Sequence, residues 1–111
     1  QNLCSLAEKY YNIKFIQAHY GSAWDGIQEL DILKAIRDLD NAWLDTAGSG
    51  CYLGAFEKTV ELLGSEKLVF GTDFPFFDPG NQIGNIVLSD IYEEDKIKIL
   101  GANFLKLVNI D

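Results

Sequence analysis

The sequence predicts an α/β fold in which three parallel strands are flanked by helices. Apolar, strand-like segments alternate with segments of helical spacing, and the connections between them are short. Each strand-like segment ends in a polar residue, which is His19, Asp45 or Asp73. Strands that alternate with helices of this length form βαβ units, and these build parallel sheets with right-handed crossovers. The 111 residues contain no linker or low-complexity tract, so they are expected to share one core.

The elements follow one another along the whole chain. Helical spacing marks residues 3–11, 27–39 and 52–63, and the strand-like runs are 13–18, 42–45 and 67–70. The inward face of the third helix is expected to hold Leu53, Phe56, Val60 and Leu63. Gly64 is expected to end that helix. Further helices are expected at 81–88 and 93–108, the latter with a break or bend at Gly101. Three strands suit a small three-layer domain or three-eighths of a barrel.

Composition excludes several classes of partner. The net charge of −8 argues against binding to nucleic acid or to an anionic membrane surface, because both need clustered Lys and Arg. No apolar run approaches the roughly 18 residues that span a bilayer. The acidic residues of the helical stretches are expected to form a solvated outer face. Cys4 and Cys51 lack CxxC spacing, which favours two buried thiols in a reducing compartment and hence a cytoplasmic protein.

Two of the polar strand ends could carry chemistry. In (β/α)8 barrels, residues at the carboxyl ends of the strands converge on the catalytic mouth, although a strand that merely meets water ends in the same way. His19 is the single histidine and suits a metal ligand or a general base. A histidine satisfied by a backbone carbonyl is the alternative. Asp73 suits a carboxylate that binds metal or accepts a proton from water, and the alternative is a turn or cap ahead of Pro75.

The remaining strand end and the loop aromatics are more ambiguous. Asp45 is expected to accept hydrogen bonds from the amides of Thr46 and Ala47 in an Asx-turn. The loops after the first and third strands carry Tyr20, Trp24, Phe74, Phe76 and Phe77. These aromatic residues fit either the lining of a pocket or ordinary packing. Glycine-rich phosphate loops, HExxH and GxSxG are all absent from the sequence.

Taken in order, these segments resemble the amidohydrolase-2 (amidohydrolase-related) family of the amidohydrolase superfamily. Residues 6–21 (LAEKYYNIKFIQAHYG) look like its strand six, 42–48 (AWLDTAG) like strand seven, and 68–75 (LVFGTDFP) like strand eight. Residues 83–104 resemble the closing helices. The resemblance implies a partial (β/α)8 TIM barrel in which residues 1–111 are the C-terminal part of an amidohydrolase-like domain.

The resemblance also implies roles for two residues. Asp73 would match the strand-eight aspartate, which binds the metal and handles the proton of the attacking water. His19 would match the strand-six histidine, a metal ligand or a base. The family's His-x-His pair and its strand-five histidine have no counterpart here, so the chain alone is expected to bind zinc weakly or not at all. In an open three-stranded sheet nothing enforces convergence of strand ends about 9.6 Å apart, so the isolated chain is expected to be inactive.

Three hypotheses follow. In the first, the chain is the C-terminal piece of a metal-dependent enzyme that hydrolyses or decarboxylates a small carboxylate- or amide-bearing metabolite, with zinc the expected metal. Metal-independent lactonases of the family remain an open alternative. In the second, it is a complete small α/β binding or scaffold module without activity. In the third, it complements a separate N-terminal chain. The first residue is Gln1 rather than Met, which favours a missing upstream part. Free strand edges are expected to favour homo-oligomers.

Overall fold

The computed structural model describes residues 3–21, 30–48 and 53–110. The strands are β1 (Phe15–Gln17), β2 (Ala42–Asp45) and β3 (Leu68–Val69). The helices are α1 (Leu3–Lys9), α2 (Leu30–Arg37), α3 (Ala55–Leu63), α4 (Pro79–Val87), α5 (Glu93–Ile97) and α6 (Asn103–Leu107). Short 3-10 turns cover His19–Gly21 and Ser65–Lys67, and a π-helical turn over Lys98–Ala102 joins α5 to α6. None of the helices in these ranges is both long and apolar enough to cross a membrane.

The strands form one parallel sheet with β2 in the middle. Phe15 pairs with Ala42, and Leu44 pairs with both Gln17 and Leu68. Within the described ranges β1 and β3 each pair with β2 alone, so each keeps one free edge. The predicted α/β class, with three parallel strands and flanking helices, is therefore confirmed.

The core lies between the sheet and the helices. Its fully buried side chains come from every layer: Leu33, Ile36, Leu44, Leu68, Ile86 and Ile99. Alternation along β2 buries Ala42 and Leu44, as expected for a strand whose neighbours cover it. This packing fixes the sheet, and with it the places where the strand ends emerge.

Some predicted boundaries were wrong. The second strand ends where predicted, but the first and third are shorter than the apolar runs because each can pair along only one edge. Leu53 does not face inward: it is 102% exposed, since Gly54 with φ 84° precedes the helix, which begins at Ala55. Gly64 does end α3, and its amide donates to the Val60 carbonyl. At Gly101 the helix widens into the π-helical turn instead of breaking.

Side-chain donors satisfy backbone carbonyls at the amino ends of the strands. Asn41 Nδ2 lies 3.1, 3.2 and 2.8 Å from the carbonyl oxygens of Ala7, Tyr10 and Ile13. Lys67 Nζ donates to the carbonyls of Leu39 and Ala42. These bonds anchor the end of α1 and the entries to β1 and β2, where carbonyl groups would otherwise lack partners.

A second group of polar side chains ties the C-terminal helices to the entry of β3. Asn103 Nδ2 donates to the carbonyls of Ser65 and Leu68, both at 2.7 Å. Ser65 Oγ donates to Asp95 Oδ1 at 2.6 Å, and Lys98 Nζ reaches Asp95 at 3.2 Å and Glu66 at 2.8 Å. The expectation that Asp95 belongs to a solvated acidic face was therefore wrong, because its carboxylate is mostly buried against Ser65.

Candidate active site

His19 and Asp73 meet above the carboxyl end of the sheet. Nε2 of His19 lies 3.7 Å from Oδ2 of Asp73. This separation is too long for a hydrogen bond but short enough for direct charge interaction if the imidazole is protonated. The two side chains are 56% and 29% exposed, so both are open to solvent and to a ligand. The two residues predicted from the strand ends therefore face one common space.

Unusual backbone geometry helps the two outer strand ends to converge. His19 and Tyr20 both have φ 59°, and Asp73 has φ 60°. Left-handed conformations are uncommon for residues other than glycine and mark sites held by their surroundings. They turn the chain sharply just past β1 and β3. The open three-stranded sheet was expected to have nothing that enforces this convergence, and these left-handed residues supply part of what holds the two side chains together.

Asp45 holds the backbone of His19. Its Oδ1 accepts from the His19 amide at 2.8 Å and from the Ala47 amide at 3.1 Å. The predicted Asx-turn is thus present at Ala47. The predicted bond to the Thr46 amide is not, because that amide donates to the Val69 carbonyl at 3.0 Å and extends the pairing of β2 with β3.

Thr46 holds the chain that leads to Asp73. Its buried hydroxyl oxygen accepts from the Gly71 amide at 3.1 Å and donates to the Gly71 carbonyl at 3.2 Å. The space at Gly71 favours glycine, because a Cβ there would lie 3.2 Å from Ala47 Cβ, a tight contact. Adjacent residues at the end of β2 therefore contact both neighbouring strand ends, a link that the sequence analysis missed because its partners lie 25 and 26 residues away.

Gln82 supports the same region from α4. Its Nε2 donates to the Gly48 carbonyl at 2.9 Å, and a Cβ at Gly48 would lie 3.5 Å from the His19 side chain. Gln82 is only 4% exposed, and its Oε1 has no hydrogen-bond partner among the described residues. Asp78 caps the start of α4 by accepting from the Gly80 amide at 2.6 Å. The helix that follows the Asp73 loop thus contacts the loop beneath His19.

The loop aromatics do not behave as one group. Tyr20 is buried and packs edge-on against Phe56, with 5.2 Å between ring centroids, so it belongs to the core. Phe74 and Phe76 are largely exposed beside Asp73. Trp24, which was predicted with them, lies outside the described residues, as does Cys51. Partial burial raises the pKa of the Cys4 thiol, which is half-buried and not fully buried as predicted.

The pair has the donor types and spacing of two metal ligands. Two ligands about 2.0–2.1 Å from a tetrahedral zinc are about 3.3 Å apart, close to the 3.7 Å between His19 and Asp73. In the described part of the chain, no group of three His, Cys, Asp or Glu could hold a metal. Because a catalytic zinc takes about three protein ligands plus water, this pair can supply only part of such a site.

A histidine and an aspartate converge at the carboxyl ends of parallel strands, which is where (β/α)8 barrels place their catalytic residues. A sequence model of the amidohydrolase family (Amidohydro_2) matches residues 3–110. The chain therefore belongs to the amidohydrolase family. A comparison with curated protein sequences finds no match.

Solved structures share the fold. An amidohydrolase from Burkholderia multivorans with bound zinc has a TM-score of 0.77 at 10% identity, and the match covers 98% of this chain and 48% of that one. The 5-carboxyvanillate decarboxylase of Sphingomonas paucimobilis has a TM-score of 0.74 at 20% identity, with 98% and 37% covered. A dihydroxybenzoic acid decarboxylase from Polaromonas sp. JS666, with bound manganese and 2-nitroresorcinol, has a TM-score of 0.71 at 23% identity, with 94% and 36% covered.

The chain spans between about a third and a half of the length of these three structures. At such low identities the likeness establishes the fold and no more. The predicted partial (β/α)8 TIM barrel is confirmed, and the resemblance to the amidohydrolase-2 family is confirmed with it.

Proposed function

We propose that the intact protein is a metal-dependent hydrolase or decarboxylase of a small carboxylate- or amide-bearing metabolite, and that this chain supplies strands six to eight of its barrel. The single observation that carries the proposal is the 3.7 Å approach of His19 Nε2 to Asp73 Oδ2 at the carboxyl end of the sheet. Membership in the amidohydrolase family supports a metal-dependent reaction, since zinc and manganese are named in two of the similar structures. Decarboxylases among those structures extend the substrate class to aromatic carboxylates.

His19 and Asp73 would hold the metal together with ligands from other strands. Zinc is the metal we propose, and a divalent ion bound there would act as a Lewis acid and lower the pKa of bound water. The carboxylate of Asp73 would accept the proton that a reacting water loses. Nε2 of His19, the ring nitrogen that faces Asp73, would be its metal-binding atom, which leaves the proton-accepting role to Asp73. Both roles need the solvent access that the two side chains have.

For the chain in isolation we propose no catalysis and little or no metal binding. Its described part offers two ligands where about three are needed. We also propose that the free edges of β1 and β3 seek partners, so the isolated chain would form homo-oligomers. Ile16, on the free-edge strand β1, is part of the exposed apolar surface that such pairing would cover. Cytoplasmic location remains a proposal that rests on the lack of CxxC spacing between Cys4 and Cys51.

The test is the mass and metal content of the intact gene product, purified without chelator. We expect close to stoichiometric zinc or another divalent metal, with removal by chelator abolishing turnover on small carboxylates and readdition restoring it. His19→Asn should lose most of the metal, whereas Asn85→Asp, which changes an exposed residue of α4, should keep it. A gene product with no metal and undiminished activity in chelator would contradict the proposal and would favour a metal-independent lactonase.

A further inference from the structure

The end of β2 contains two adjacent side chains that restrain opposite neighbours. Asp45 accepts the amide of His19, at the end of β1, and Thr46 exchanges two hydrogen bonds with Gly71, just past β3. We call this pair, Asp45 and Thr46, the β2 bracket. The shortest covalent route between His19 and Asp73 runs through the whole of α2, β2 and α3. The bracket therefore links the two strand ends by a much shorter, hydrogen-bonded path.

The bracket acts where the backbone is strained. A non-glycine residue in a sparsely populated conformation persists only where its surroundings hold it. His19, with φ 59°, is such a residue, and its own amide is the group that Asp45 binds at 2.8 Å. Removing that acceptor would free the turn to relax toward ordinary φ values and would move the imidazole.

Packing around the bracket leaves little room for adjustment. A Cβ at Gly71 would lie 3.3 Å from Asp45 Oδ2 as well as 3.2 Å from Ala47 Cβ. The carboxylate is thus seated between the amides it binds and the backbone that leads to Asp73. Asp45 accepts through a single oxygen, Oδ1, in both of its hydrogen bonds. An asparagine carries the same acceptor oxygen at this position.

We propose that Asp45 and Thr46 are positioning residues that set the separation of His19 from Asp73, and thereby the affinity of the site for its metal. The structural half of this inference, the bracket itself, does not depend on the proposed function. The second half does rest on it, because a change in metal affinity has meaning only if the intact protein binds metal. The acceptor oxygen of Asp45, and not its negative charge, is the feature that matters.

The first experiment measures amide hydrogen exchange in the intact gene product at the His19, Ala47 and Gly71 amides. Asp45→Ala removes the acceptor of the His19 and Ala47 amides, so exchange at both should become about tenfold faster or more. Exchange at Gly71 should stay unchanged. Asp45→Asn should stay close to the parent protein. Thr46→Val should speed exchange at Gly71 alone, with Thr46→Ser, which keeps the hydroxyl, as the matched control. If Asp45→Ala fails to fold, Asp45→Glu, which displaces the carboxylate, takes its place with the same expectation.

The second experiment measures the zinc dissociation constant of the same proteins, well below the unfolding temperature of each. Removal of an outer-shell partner weakens metal binding by about 10–100-fold, so Asp45→Ala and Thr46→Val should lose at least about tenfold. Asp45→Asn and Thr46→Ser should stay within about threefold of the parent protein. A merely structural role would lower the unfolding temperature without this pattern of loss and rescue.

The two readouts separate the two claims. Unchanged exchange at His19 in Asp45→Ala would overturn the bracket. If Asp45→Asn speeds exchange and weakens zinc binding as much as Asp45→Ala does, the role of the acceptor oxygen is overturned. If the parent protein binds zinc and all variants bind it equally well, the proposed control of metal affinity is overturned. If the parent protein binds no zinc while exchange responds as expected, the bracket is supported and the proposed metal function is the part that fails.

Discussion

The two ends of the sheet use their polar side chains in different ways. At the amino ends, amide and amine donors from Asn41, Lys67 and Asn103 are spent on backbone carbonyls, so the polar atoms are used up in holding the chain. At the carboxyl ends, side-chain oxygens hold backbone amides, and the imidazole of His19 and the carboxylate of Asp73 stay accessible. The polar side chains at the amino ends thus stabilise the fold. Those at the carboxyl ends hold the backbone in place while His19 and Asp73 stay accessible for chemistry. Parallel barrels show the same division of labour between their two faces.

The strongest test of this division is Asp73→Asn in the intact gene product. If the carboxyl end serves chemistry, loss of the carboxylate should cut turnover by about 10³-fold, within the range of a lost acid–base group. The free energy of unfolding should change by less than about 1 kcal/mol, because Asp73 is partly exposed. Urea unfolding and initial rates check both halves, with Asp90→Asn, an exposed aspartate, as the control. Full turnover in Asp73→Asn would remove this residue from the site.

Asn41→Asp tests the opposite end. It replaces the amide nitrogen that faces three carbonyl oxygens with a carboxylate oxygen, so donors are lost and acceptors are set against each other. We expect a loss of about 3 kcal/mol in the free energy of unfolding. Asn85→Asp makes the same chemical change at an exposed helix position and should stay within about 0.5 kcal/mol. Equal stability of the two variants in urea unfolding would refute the anchoring role of Asn41.

Asn103→Ala should have a smaller effect at the same end of the sheet. It leaves the carbonyls of Ser65 and Leu68 without their donor, but water can reach them in part because Asn103 is only half-buried. We expect a loss of about 1–2 kcal/mol. Lys106→Ala, on the exposed side of the same helix, is the control. Thermal unfolding of both variants measures whether only Asn103→Ala loses stability. A large loss of turnover in Asn103→Ala, measured well below its unfolding temperature, would contradict the division between the two ends.

The smallest expected effect is electrostatic. Lys98 lowers the pKa of the Glu66 carboxyl, whereas the hydrogen bond from Ser65 is the main cause of the lowered pKa of Asp95, with Lys98 adding to it. Carboxyls with lowered pKa values stabilise the fold at neutral pH, and that stabilisation is lost as the pH falls through the folded-state values. Lys98→Met should therefore be less stable than the parent protein at pH 7, and the difference should shrink as the pH falls below about 4. A difference that is the same across urea titrations at each pH would contradict this account.

Burial explains which parts of the fold were predictable. β2 was placed correctly because both of its edges are paired and its short apolar run ends at Asp45, just ahead of a turn that contains Gly and Ser. The outer strands were drawn too long because apolar character records burial, whereas a strand also needs a hydrogen-bonded neighbour. The start of α3 was misplaced because Leu53 fits the helical spacing, but the positive φ of Gly54 keeps the helix from reaching it.

The site was predictable in its residues but not in its supports. His19 and Asp73 stand out because each follows an apolar strand and carries a group suited to catalysis. The bonds that hold them come from Asp45 and Thr46, which pass for ordinary turn residues until three-dimensional proximity is known. Asn41 is likewise invisible in sequence, since its partners lie 28 to 34 residues away.

The π-helical turn at Lys98–Ala102 has a consequence for the length of the chain. A wide turn accommodates one residue more than a regular turn, so deleting a single residue there would restore the ordinary hydrogen-bond ladder. A deletion in α5, where no wide turn absorbs it, would instead rotate everything downstream by about 100° around the helix axis. Asn103 would then leave the carbonyls of Ser65 and Leu68 that it now reaches at 2.7 Å. The wide turn is therefore the place where the C-terminal helices can take up a change of one residue without losing the contact between Asn103 and the entry of β3.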